Sequence, residues 1–144
     1  MLRDVQGTTA LNLDAKGRLA IPAKYRDALE DGKVTITAHP HGCLLIYSTS
    51  DWVPIRDQIR GIPSLDLGTA LWKRLFVGHA QDETLDNAGR VLIAPSQRQY
   101  AELEKQVWLV GQLTYFELWS DAGWQRQLQS MSGAVPPGFE NLVL

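Results

Sequence analysis

The 144-residue sequence predicts an α+β fold built from two copies of one strand–helix unit with peripheral helices. Three observations predict it. Residues 14–26, DAKGRLAIPAKYR, return at 86–98 as DNAGRVLIAPSQR. Each motif is followed by the same succession of strand-like and helix-like runs. A hydrophobic content of 44% and a charged content of 21% suit a folded chain with one shared core.

An offset of 72 residues aligns the copies. Asp14 meets Asp86, Gly17 meets Gly89, Arg18 meets Arg90, Ile21 meets Ile93 and Arg26 meets Arg98. Further on, Lys33 meets Lys105, Tyr47 meets Trp119 and Trp52 meets Trp124, with no net shift. The division that follows is a first repeat at 5–60, a linker and connecting helix at 61–76, a second repeat at 77–132 and a flexible tail at 133–144.

The elements follow in order. TALNLD places Leu11 and Leu13 in alternation with polar residues, as a half-buried strand requires. DETLD opens the second copy in the same way. The D-x-x-G turns fit a type I turn followed by a left-handed residue, with Asp bonding the amides ahead and Gly taking positive φ. Residues 14–18 and 86–90 are thus expected to be hairpin tips with an arginine just beyond. Pro22 opens a helix over 23–29 that Gly32 stops, and Pro95 opens one running towards Leu103. KVTITA pairs with CLLIYS and QVWLVG with YFELWS, runs rich in residues that fit a pleated surface. Ser50 and Ser120 are the expected N-caps of the helices that follow. Trp52, Ile55 and Ile59 share one helical face, as do Trp124 and Leu128. A helix over 66–76 carries an apolar stripe of Leu67, Leu71 and Leu75. The five tryptophans at repeat-matched positions are expected to pack in the core rather than stack on bases.

Several function classes are disfavoured. No apolar run approaches the ~18 residues of a membrane span, and no secretory signal pattern opens the chain, so a cytoplasmic place is expected. A single cysteine, Cys43, leaves no internal disulfide and no Cys-based zinc site, and it reads as a small buried apolar residue. His39 and His41 flank Pro40 in a loop but lack a third ligand at recognisable spacing. No nucleophile, metallopeptidase or phosphate-loop motif occurs, and the turns account for Asp14 and Asp86. The expectation is no enzyme, no catalytic residues, no metal, no cofactor and no small-molecule substrate.

The repeated DxxxR motif carries the candidate function. One reading makes it architecture: Asp caps the turn and Arg braces the hairpin base, an exposed pair contributing about 0–1 kcal/mol. The other sets Arg at the tip of a rigid two-stranded ribbon that enters a DNA major groove, where a bidentate arginine fits guanine O6 and N7. Asp14 then orients Arg18 rather than touching DNA. Lys16, Lys24 and Arg26 add a local cationic patch to a chain whose net charge is −2.

Two DxxxR motifs, the run LNLDAKGRLAIPAKYRDAL, then ITAHPHGCLLIY and LVGQLTYFELW closely resemble the MraZ family over roughly residues 7–128. The resemblance implies an AbrB-like, double-split β-α-β fold of the SpoVT-AbrB kind, with the two repeats forming a pseudo-dimer inside one chain. It implies a nucleoid-associated homo-oligomer, a ring of eight or twelve chains. That ring would bind G-rich direct repeats in the promoter of its own division and cell-wall operon, usually as a repressor. The DNA-contact motifs carried onto this chain are Asp14, Ala15, Lys16, Gly17 and Arg18, and Asp86, Asn87, Ala88, Gly89 and Arg90, with Arg18 and Arg90 foremost. The second copy departs from the pattern: it reads Ile93-Ala94-Pro95 after the motif, Ala88 replaces Lys16 and Ser96 replaces Lys24. The alternative is a ring-forming interaction protein in which DxxxR only braces the turns.

Overall fold

A computed structural model describes residues 2–29 and 31–144. Its centre is a six-stranded antiparallel sheet in the order β1-β7-β8-β4-β3-β5, and a separate two-stranded ribbon joins β2 to β6. The strands are β1 (Thr8–Asn12), β2 (Arg18–Ala20), β3 (Lys33–Ala38), β4 (Leu44–Ser48), β5 (Gln81–Thr84), β6 (Arg90–Leu92), β7 (Gln106–Gly111) and β8 (Phe116–Ser120). The fold is α+β, as the sequence predicts, and the halves are related by an approximate two-fold axis. That symmetry shows in the registers. Leu44 faces Leu118 and Ile46 faces Phe116 across β4 and β8, while Arg18 faces Leu92 and Ala20 faces Arg90 across β2 and β6.

The halves exchange strands. β1 pairs with β7 of the second copy, and β5 pairs with β3 of the first. The expected pairs β3/β4 and β7/β8 are present. The expected pairing of β1 with β2 is not. The chain turns tightly at Asp14, but the two arms then part, one into the sheet and one into the ribbon. Alternation dictates which face a residue takes, and it leaves the hydrogen-bond partner open.

Two apolar layers hold these pieces. Leu19, Ile21, Val91 and Ile93 from the ribbon and its exits pack on Ile36, Ile46, Leu109, Phe116 and Leu118 from the sheet. Cys43, Leu45, Tyr47, Val110 and Trp119 face the other way, under the helices. There lie α2 (Thr49–Arg60), α3 (Leu67–Phe76) and α5 (Asp121–Gln129). Trp52 of α2 stacks on Phe76 of α3 at 5.3 Å between ring centroids. Burial pushes the Cys43 thiol up to about 12, so it behaves as the small apolar residue expected.

Helix details differ from expectation in four places. α1 (Ala23–Arg26) is a single turn, and the chain to Leu29 continues as bonded turns rather than helix. α4 (Pro95–Tyr100) likewise stops short of Leu103. The cap of α2 is Ser48, whose Oγ accepts from the Asp51 amide at 3.2 Å; Ser50 already lies inside the helix because β4 runs directly into it. Ser120 caps α5 as predicted, accepting from Gly123 at 2.9 Å. Leu67 and Leu71 of α3 point outward, and the helix instead turns Leu75 and Phe76 to the core. Trp72 is exposed, unlike Trp52 and Trp119.

The repeat also slips internally. Lys33 faces Thr84 while Gln106 faces Asn12, so Gln106 rather than Lys105 occupies the place of Lys33. An extra residue before β7 and a shorter turn after it cancel. Glu102 (φ 54) and Leu113 (φ 68) stand at these two sites, the only non-glycine residues with positive φ among the described residues.

Candidate nucleic-acid interface

Each DxxxR motif folds into one small machine. The amide of Asp14 donates to the Arg18 carbonyl at 3.0 Å, and the Gly17 amide donates back to the Asp14 carbonyl at 3.0 Å, closing the turn. Gly17 takes φ +82, which a glycine adopts at little cost. The Asp14 carboxylate then collects three donors. Its Oδ1 accepts from the amides of Lys16 (3.0 Å) and Arg18 (2.8 Å), and its Oδ2 accepts from Arg18 Nε at 2.7 Å. Asp86 repeats the pattern with Ala88 (2.9 Å), Arg90 N (2.9 Å) and Arg90 Nε (2.9 Å). The Arg18 amide, ahead of the other donors, holds the Asp14 carboxyl below its ordinary 3.8. The Arg90 amide does the same for Asp86.

Both arginines are thereby fixed through Nε, at 2.7 Å from Asp14 and 2.9 Å from Asp86. Nothing in this geometry activates a nucleophile, and among the described residues no three His, Cys, Asp or Glu converge as a metal would require. His39 and His41 pack ring to ring at 4.4 Å, and burial with the neighbouring His41 lowers the pKa of His39.

The ribbon places the two machines side by side. Leu19 and Val91 point into the core, so Arg18, Ala20, Arg90 and Leu92 form its outer face. Arg18 and Arg90 are diagonal neighbours there, with Cα atoms roughly 7–8 Å apart by ladder geometry. The two arginines expected at the tips of separate hairpins therefore lie on one surface that both copies build. Lys16 stands exposed in the first turn. Lys24 is exposed on α1, its ammonium 4.9 Å over the Tyr25 ring. Arg26 is turned inward: its Nε donates to the Ile21 carbonyl at 2.8 Å.

Sequence reasoning singled out neither Arg98 nor the apolar pair Ala20 and Leu92. Arg98 lies against the first turn, close to Gly17. Its signal was present, since it matches Arg26 at the repeat offset. Ala20 and Leu92 join the surface only because of the ribbon register.

The comparisons with known proteins agree with this architecture. The family model described as "MraZ protein, putative antitoxin-like" matches twice, at residues 5–74 and 76–135. A protein of Aromatoleum aromaticum named "Transcriptional regulator MraZ" is 61% identical, covering 96% of this chain and 99% of its own length. Proteins of the same name from an Azoarcus species and from Dechloromonas aromatica are 58% and 56% identical, with the same coverage. With both halves matched and near-complete relatives above half identity, this chain belongs to the MraZ family.

Proposed function

We propose that the chain is a sequence-specific, double-stranded-DNA-binding transcriptional regulator with no catalytic role. One observation carries the reading: two arginines, each aimed by its own aspartate, lie on the one exposed face of a two-stranded ribbon. Such a ribbon fits a major groove, and a diagonal of roughly 7 Å spans about two base-pair steps. The relatives' name supports regulation. The family resemblance adds the finer picture: G-rich direct repeats upstream of the chain's own operon, bound by a ring of copies acting as repressor in the cytoplasm, at the nucleoid. A ring also reconciles binding with a net charge of −2, because several ribbons on one rim multiply a local cationic edge. No helix among the described residues is long and apolar enough to cross a membrane.

The test is binding of the purified chain to its own upstream DNA, wild type beside Arg18→Ala, with oligomer mass recorded for both. The expected result is a loss of roughly 5- to 150-fold at unchanged mass, the size of one bidentate base contact. Affinity should also fall steeply with salt and rise with the number of in-phase repeats. Equal binding by both proteins would leave DxxxR as turn architecture. Assembly without DNA binding by either would favour the interaction protein.

A further inference from the structure

Each turn rests on an arginine from the other half of the chain. A Cβ on Gly17 would lie 2.6 Å from Cζ of Arg98, and one on Gly89 would collide with Nε and Cζ of Arg26. The backbone makes the same crossing. The Ile93 amide donates to the Gly17 carbonyl at 3.0 Å, and the Ile21 amide donates to the Gly89 carbonyl at 2.9 Å. The arginines therefore fill the space that the glycines leave. Among the described residues neither forms an ion pair. A guanidinium is planar and can lie flat against a backbone where an ammonium on a flexible stem cannot. An arginine occupied in this way is poorly placed to reach a base edge.

We propose that Arg26 and Arg98 are positioning residues that aim the opposite turn: Arg98 sets Arg18, and Arg26 sets Arg90. Neither is a DNA contact, which reassigns Arg26 from the cationic patch. The two reading turns become one cross-braced unit, so that neither half can hold its own recognition arginine alone. The consequence for DNA rests on the function proposed above; the brace itself does not.

The brace can be tested without DNA. The carboxyls of Asp14 and Asp86 are titrated by NMR in the full chain, because the turn amides that hold each carboxyl low report the closure of that turn. Arg98→Ala should move Asp14 up towards 3.8 and leave Asp86 in place. Arg98→Lys keeps the charge but loses the plane, and should act like Arg98→Ala. Arg26→Ala should move Asp86 alone. A general loosening of the fold would move both carboxyls together in every variant, and that result, or no movement, overturns the proposal.

DNA binding then supplies a second readout. Arg98→Ala should weaken binding about tenfold, within the range of one lost base contact. It should add nothing in an Arg18→Ala background and its full effect in an Arg90→Ala background. Equal losses in both backgrounds would mean that Arg98 acts on DNA directly or through the whole fold, against the proposal. If the wild type fails to bind, the recognition reading falls and the titration still decides the brace.

Discussion

At Asp14 a single carboxylate closes a turn and holds an arginine. Three N–H groups converge on two oxygens, so the anion is favoured over the acid. The sign of the pH dependence follows. A carboxyl whose folded pKa lies below its unfolded one stabilises the fold above the unfolded value, and that contribution fades as pH falls through the folded value. NMR titration should therefore place Asp14 and Asp86 both below 3.8, with the Arg18 and Arg90 amide signals shifting in step as the pH falls through those values. A value at or above 3.8 for either residue would mean its turn is open in solution. This much was legible in the sequence, because D-x-x-G-R is a local device whose partners lie within four residues. Arg98 was not legible in its role. Its partner, Gly17, is 81 positions away, and no local pattern announces a guanidinium lying on a glycine.

Among the elements, α2 shows how a strand can hand over to a helix without a loop. Ser48 closes β4 and caps α2 at once, and its Oγ also donates to Asp51 Oδ2 at 2.8 Å. The same Asp51 oxygen accepts from the Leu2 amide at 2.9 Å, tying the start of the chain to this corner. Ser48→Ala should cost about 1 kcal/mol in chemical denaturation, whereas Ser50→Ala should stay within about 0.5 kcal/mol. The reverse order would restore Ser50 as the cap. Composition alone favoured either serine. The decision came from where β4 stops, and tertiary pairing with β3 and β8 sets that. α3 repeats the lesson: its Leu67–Leu71–Leu75 stripe has helical spacing, yet Phe76 is the residue that meets Trp52. Gln97 shows the opposite case of a buried polar group fully used. Its carboxamide accepts from the Ala94 amide and donates to the carbonyls of Ile36 and His79, fastening α4 to β3.

For the whole molecule, the exchange of strands matters most. Three ladders cross between the halves at their edges and ribbon, β1/β7, β3/β5 and β2/β6, and a fourth, β4/β8, joins them at the centre. A chain cut between 76 and 77 should yield two fragments that lack stable structure alone and regain it on mixing, followed by circular dichroism. Two fragments that each fold independently would contradict the shared sheet. The sequence reading recognised the duplication and the fold class, because repeats and alternation are written in residue types. It missed the exchange because both copies carry nearly the same strands. A strand that fits its own copy fits the other equally well, and only the geometry of the two-fold arrangement chooses.

The shared ribbon also gives the molecule a direction. Were the two halves separate identical chains, every substitution in one turn would appear in the other, and the surface would look the same from either end. Fused in one chain, they are free to diverge, and they have. Lys16 and Lys24 mark one end, while Ala88 and Ser96 mark the other. A surface with unlike ends distinguishes forwards from backwards along any polymer it meets. If the ribbon reads DNA as proposed, targets arranged head to tail would suit it and palindromes would not.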